Sequence, residues 1–196
     1  MDARPDAPAD PDAELRAMDL LILRHAEKTG SGLCDPLTAR GRADAQAVAE
    51  ALAALDVDAV VMSPYRRSQD TVAPFLRRSG LTPVIDARLA EWMISPSALA
   101  EIFEHGPAVV ADRHYRAPWS ETAAECWTRV AAALRDLRAT GARHPLLACH
   151  GGILGIALMH LSDGFRSEDW RTFHQPTLVA VHRGAWRKLP IPGVRA

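Results

Sequence analysis

Met18-Asp19-Leu20-Leu21-Ile22-Leu23-Arg24-His25 runs an apolar stretch directly into a cation and an imidazole. A short apolar run with a polar end reads as a strand buried on both faces, the pattern of parallel strands covered by helices. A second stretch far downstream repeats the plan: Pro145-Leu146-Leu147-Ala148 followed by Cys149-His150-Gly151-Gly152. In an open α/β sheet the carboxyl ends of neighbouring strands converge on one crevice, so residues remote in sequence can share a site there. Two histidines and an arginine in such a crevice point to phosphate chemistry.

Working outward, Thr38 is placed to cap an Ala-rich helix with Val48, Leu52 and Leu55 on one face. Val57 to Met62 reads as a second strand, with Ser63 as N-cap and Pro64 as first residue of the helix that follows. That register puts Arg66 in the helix's first turn, beside the strand end, and leaves Arg67 as a solvated helix residue. Pro74 is expected to kink or end the helix near Ala73, because proline cannot donate the interior bond. Thr82 to Ile85 reads as a short strand leading to Leu89-Ala90-Glu91-Trp92. Thr122 to Glu125 has the capping-box pattern, with Val130, Leu134 and Leu137 at helical spacing behind it. Gly152 to Leu161 suggests the helix after the His150 strand, and Leu178 to Leu189 a terminal hairpin. Strands alternating with helices predict an α/β fold, a three-layer α/β/α sandwich with a mostly parallel central sheet. Residues 1–17, rich in Ala, Asp and Pro, read as a flexible N-terminal arm, and residues 18–196 as one domain.

A phosphomonoester carries up to two negative charges, so a site must offset them and aim a nucleophile at phosphorus. The guanidinium suits the first task with two parallel hydrogen bonds and a permanent charge, and Arg24 and Arg66 are the candidates. An imidazole suits the second, being largely neutral near pH 7 and able to form a phosphoramidate that water cleaves; His25 or His150 could serve. The leaving oxygen needs a proton from a carboxylic acid whose surroundings keep it neutral. Glu91, beside Trp92, is the leading candidate, with Asp86 and Glu121 as competitors.

Together these residues resemble the histidine phosphatase superfamily, the phosphoglycerate-mutase-like family, over roughly Leu20 to Leu161. Arg24-His25 is similar to its R-H-G signature, Pro36-Leu37-Thr38-Ala39-Arg40-Gly41 to its P-L-T-x-x-G segment, and Ser63-Pro64-Tyr65-Arg66-Arg67-Ser68 to its S-x-x-x-R segment. Leu89-Ala90-Glu91 resembles the segment bearing the proton donor, Ser120-Glu121-Thr122 the start of the helix before the last motif, and His150-Gly151 the second-histidine motif. The resemblance implies that His25 is the phosphorylated nucleophile and Glu91 the acid and then base. It also implies that Arg24, Arg66 and His150 form the phosphate clamp, and that neither metal nor cofactor is needed. Ala26 stands where the family has glycine, and the loop from Glu27 to Asp35 is shorter than in the sugar-phosphate mutases and lacks their asparagine. The glycine and tryptophan pattern that often follows the acidic residue is missing after Glu91.

Composition narrows the rest. The 196 residues, 48% of them hydrophobic, suffice for one core, and a formal net charge of -1 without a basic run argues against nucleic acid or an anionic membrane as partner. Three cysteines without C-x-x-C spacing indicate neither a disulfide framework nor a zinc site, and together with the absence of a signal-peptide plan they lead to a cytoplasmic expectation. No pair of histidines brackets a carboxylate at metal-ligand spacing. The expected activity is a phosphatase acting on a small phosphorylated metabolite. The alternatives are a protein phosphohistidine phosphatase, a phosphoglycerate-type mutase and a non-catalytic phosphate-binding module. Specificity is expected from the loop Glu27 to Asp35 and the region Trp92 to Trp119.

Overall fold

The computed structural model describes residues 10–92, 107–116 and 121–194. Its centre is a six-stranded sheet of β1 (Asp19–Arg24), β2 (Ala59–Met62), β3 (Val84–Ile85), β4 (Pro145–Cys149), β5 (Thr177–His182) and β6 (Ala185–Leu189). The order is β3-β2-β4-β1-β5-β6, with β3, β2, β4 and β1 parallel and the β5/β6 hairpin antiparallel at one edge. The apolar runs of β1 and β4 alternate between two cores, as a strand covered on both faces must. Leu21, Leu23, Leu146 and Ala148 pack with Val48 and Leu52 of α2 (Ala39–Ala53) and Val72 and Phe75 of α3 (Arg66–Ser79). Leu20, Ile22, Leu147 and Cys149 pack with Val130 and Leu134 of α4 (Ala123–Ala139) and Ile153 and Ile156 of α5 (Gly151–Leu161). A short α6 (Ser167–Trp170) follows. The three layers are those the strand and helix alternation predicts.

The topology creates the crevice. β1 pairs with β4 in a register that sets Arg24 opposite Cys149, yet the helix after β1 leaves over one face of the sheet and the helix after β4 over the other. Adjacent strands whose following helices diverge leave a gap at their carboxyl ends. The ladder continues past the strand ends: His25 N–H donates to Cys149 O at 3.1 Å, and Ser63 N–H donates to Ala148 O at 2.9 Å. Three strand ends are thereby locked side by side.

Two sequence expectations require correction, and a third falls partly outside the description. α3 does not stop at Pro74 but continues to Ser79. The lost hydrogen bond is outweighed because Val72 and Phe75 on either side are buried in the core, and packing commonly overrides such a local penalty. The presumed flexible arm is packed from Asp10 onward, where α1 (Ala13–Arg16) buries Leu15 to 1% exposure between α4 and α5. Burying such a leucine contributes about 1.5–3 kcal/mol. Polar contacts reinforce it: Trp127 Nε1–H donates to Asp12 Oδ2 at 2.7 Å, and Arg135 pairs with Asp12 at 3.1 Å. Residues 1–9, and residues 93–106 and 117–119 of the region expected to set specificity, lie outside the described residues.

Candidate active site

His25 emerges from β1 with its ring buried at 3% exposure. Its Nδ1–H donates to the carbonyl of Ala26 at 2.8 Å, which fixes the tautomer and leaves a lone pair on Nε2. The backbone here is held in turn by Ala26 N–H, which donates to Thr71 Oγ1 of α3 at 2.9 Å. Burial first, and then the charges of Arg67, Arg24 and Lys28, push the His25 pKa well below the ordinary imidazole range. The ring is therefore neutral at physiological pH, with Nε2 accepting from Arg67.

His150, fully buried, stands across from it with ring centroids 5.2 Å apart. Ser63 Oγ accepts from Tyr65 N–H at 3.2 Å and lies 2.7 Å from His150 Nε2. With the serine hydroxyl donating to Nε2, the proton of the neutral imidazole resides on Nδ1. That Nδ1 is buried and has no hydrogen-bond partner among the described residues. Burial, followed by the His25, Arg67 and Arg24 charges, holds His150 neutral as well.

Of the two adjacent arginines the structure brings Arg67, and not the expected Arg66, to His25. The Ser63 hydroxyl meets both His150 and Tyr65 N–H, but Tyr65 occupies the cap position and the helix begins at Arg66. Arg66 then points outward, 58% exposed, to Asp70 one turn on. Arg67 turns inward at 3% exposure, where its Nε–H donates to His25 Nε2 at 3.1 Å and its Nη1 donates to Gly32 O at 3.0 Å. Its guanidinium also lies over the Tyr65 ring, 4.2 Å from the centroid. The sequence does carry a signal for this. Arg67 shares the helical stripe of Thr71 and Pro74, all buried, whereas Arg66 shares that of Asp70 and Arg77.

Arg24 ends β1 partly buried, with Nη1 donating to Phe173 O and Nε buried without a partner among the described residues. Glu91 lies opposite, its Oε1 accepting from Trp92 N–H at 2.8 Å. Burial pushes its carboxyl above the ordinary range, against the pull of Trp92 N–H, Arg24 and Arg67. The first turn of α5 closes over both residues. A methyl group at Gly151 would press on Arg24 Cζ at 3.1 Å, and one at Gly152 would come within 2.7 Å of Glu91 Oε1 and 2.8 Å of Trp92 Cβ, so close approach demands glycine at 152. Lys28, another residue the sequence reading did not single out, is half-buried in the first loop, where its Nζ donates to Gly30 O at 2.7 Å and Ser31 Oγ at 2.9 Å. Asp86, considered as an acid, is engaged by Arg88, and Glu121 by Arg129.

His25, His150, Arg24 and Glu91 thus meet at one crevice, with Arg67 in the place expected for Arg66. Arg24, Arg67 and Lys28 supply three cations, and Asp35 and Glu91 are the carboxylates acting on Lys28. A pocket of neutral imidazoles, buried guanidinium donors and a helix N-terminus suits a tetrahedral dianion. Among the described residues no group of three or more His, Cys, Asp or Glu side chains could hold a metal ion, and no helix is long and apolar enough to cross a membrane.

Fold and site define an α/β/α protein in which two histidines meet at the carboxyl edge of its sheet. Residues 20–187 match the model of the histidine phosphatase superfamily (branch 1), and the chain belongs to that family. The curated relatives include the uncharacterised protein Rv0525 of Mycobacterium tuberculosis, 32% identical over 124 residues; the match covers 57% of this chain and 58% of that one. Among solved structures, the mycobacterial glucosyl-3-phosphoglycerate phosphatase Rv2419c complexed with inorganic phosphate superposes with a TM-score of 0.64. It is 24% identical, with 89% of this chain and 96% of the other covered. The alpha-ribazole phosphatase of Shigella flexneri gives 0.63 at 24% identity, with 91% and 100% covered. At these identities the likeness is one of fold.

Proposed function

We propose that this protein is a metal-independent phosphatase that hydrolyses a small phosphomonoester through a phosphohistidine at His25. The observation that carries the reading is the state of that ring: buried, neutral, tautomerically fixed by Ala26, and offering Nε2 to a crevice lined by Arg24, Arg67 and His150. In the first step Nε2 attacks phosphorus, the P–O ester bond breaks, and protonated Glu91 gives its proton to the departing oxygen. In the second, Glu91 carboxylate takes a proton from water as the water oxygen bonds to phosphorus and the P–N bond breaks. Inorganic phosphate leaves and His25 returns to its neutral form.

Arg24, Arg67 and the Nδ1–H of His150 hold the three non-bridging oxygens and stabilise the charge that develops on them. The surplus of positive charge matches a phosphomonoester dianion. The phosphatases of similar fold act, by their names, on glucosyl-3-phosphoglycerate and alpha-ribazole phosphate, in keeping with a small phosphorylated metabolite. Three unpaired cysteines, Cys34 among them exposed, support a reducing, cytoplasmic setting. Turnover of p-nitrophenyl phosphate by the protein and by His25→Ala is the test. Turnover abolished by the substitution is expected, and turnover that survives it refutes the reading.

A further inference from the structure

The segment that carries Glu91 has little regular structure to hold it. It leaves a three-residue 3-10 turn, Ala87–Leu89, and passes Ala90 in extended conformation. A general acid must nevertheless be fixed within a fraction of an ångström, so its backbone needs anchors from elsewhere. Arg129 of α4 supplies them. Its Nη1 donates to the carbonyls of Arg88 and Ala90, the latter at 2.8 Å, and its Nη2 donates to Glu91 O at 3.4 Å. The remaining N–H groups, on Nε and Nη2, go to the Glu121 carboxylate, with Nε 3.0 Å from Oε2. All five guanidinium donors are thereby used, three of them on backbone carbonyls of the acid-bearing segment. Glu121 closes the frame from its backbone, where its carbonyl accepts from Trp92 Nε1–H at 2.8 Å.

We infer that Arg129 is the positioning residue of the general acid: resting on the function proposed above, it sets Glu91 against the leaving oxygen without touching substrate. Lysine has only three donors and a point charge, so it cannot replace the planar fork. The test measures kcat/KM, which reports steps up to phosphoryl transfer, on p-nitrophenyl phosphate, with its good leaving group, and on phenyl phosphate, with a poor one. Acid assistance is worth on the order of 10²-fold or more where the leaving group is poor. Arg129→Met is expected to lose about tenfold or more on phenyl phosphate and less than about threefold on p-nitrophenyl phosphate, mirroring Glu91→Gln in direction. In the double variant the two losses on phenyl phosphate should not multiply.

Equal losses on both substrates, or multiplying losses in the double variant, overturn the inference in favour of a merely structural role. If instead Glu91→Gln itself shows no leaving-group dependence, the assignment of Glu91 fails, and the positioning role with it. Should Arg129→Met not fold, Arg129→Lys is judged by the same two-substrate criterion.

Discussion

Arg66 and Arg67 are adjacent and chemically identical, yet the geometry demands opposite consequences of removing them. On the proposed mechanism phosphorus arrives at His25 Nε2, and Arg67 already donates to that atom from Nε at 3.1 Å. Losing a preorganised donor of this kind costs about 3 kcal/mol in the transition state, or on the order of 10²–10³-fold in rate. Arg66 is more than half exposed and makes an i,i+4 pair with Asp70 at 3.3 Å. Such a surface pair contributes about 0.3–0.5 kcal/mol to stability and nothing to the reaction. Arg67→Met should therefore lower kcat/KM on p-nitrophenyl phosphate about a hundredfold or more and weaken competitive inhibition by inorganic phosphate. Arg66→Met should change either quantity less than about twofold. Steady-state assays with both variants, each confirmed as folded by thermal melting, decide the matter. Equal losses, or a larger loss in Arg66→Met, would refute the argument from helix register.

Other outcomes follow from the same structure. Because burial depresses His25 below its ordinary 6.5 and raises Glu91 above its ordinary 4.5, kcat/KM should rise with pH only in the acid range below 6.5, as His25 sheds its proton, and fall as Glu91 ionises. Glu91→Gln should erase the falling limb, and its persistence would exclude Glu91 as the acid. The buried histidines also bind protons less readily folded than unfolded, so the stability they contribute is full above about 6.5 and is lost as pH falls below it. Glu91 acts in the opposite sense, its contribution declining as pH rises from 4.5 through its folded value. Chemical denaturation across pH, with and without the His25→Gln and His150→Gln substitutions, separates the two. Gly152→Ala places a methyl group 2.7 Å from Glu91 Oε1 and 2.8 Å from Trp92 Cβ, so it should cost more than about tenfold in kcat/KM on phenyl phosphate. Leu15→Ala empties a packed site remote from the crevice; it should cost about 2–4 kcal/mol of stability in a urea titration while leaving kcat/KM unchanged.

The strand-end histidines were legible because a buried parallel strand announces itself as an apolar run, and the residue ending it falls into the crevice whatever the rest of the chain does. Arg67 was missed because the Ser-Pro dipeptide reads as the helix start, which lies two residues later, although the S-x-x-x-R spacing counted from Ser63 falls on Arg67. The exposed and buried stripes of α3 carried the correct answer, since they depend on packing over several turns and not on one end. Leu15 was hidden for a different reason: one leucine in an Ala- and Asp-rich segment has no periodicity, and its groove exists only once α4 and α5 are packed together. The surroundings of Glu91 come from Gly152, Arg129 and Trp92. Trp92 was offered by the sequence as its neighbour, whereas Gly152 and Arg129 reach it only through packing.

The most direct test of the central claim is to trap the covalent intermediate. Glu91→Gln mixed with p-nitrophenyl phosphate, quenched in alkali where a phosphoramidate survives, and analysed by mass spectrometry of the intact protein and its peptides should show one phosphoryl group on His25. A phosphoryl group on another residue, or its absence from His25 while turnover continues, would contradict the account.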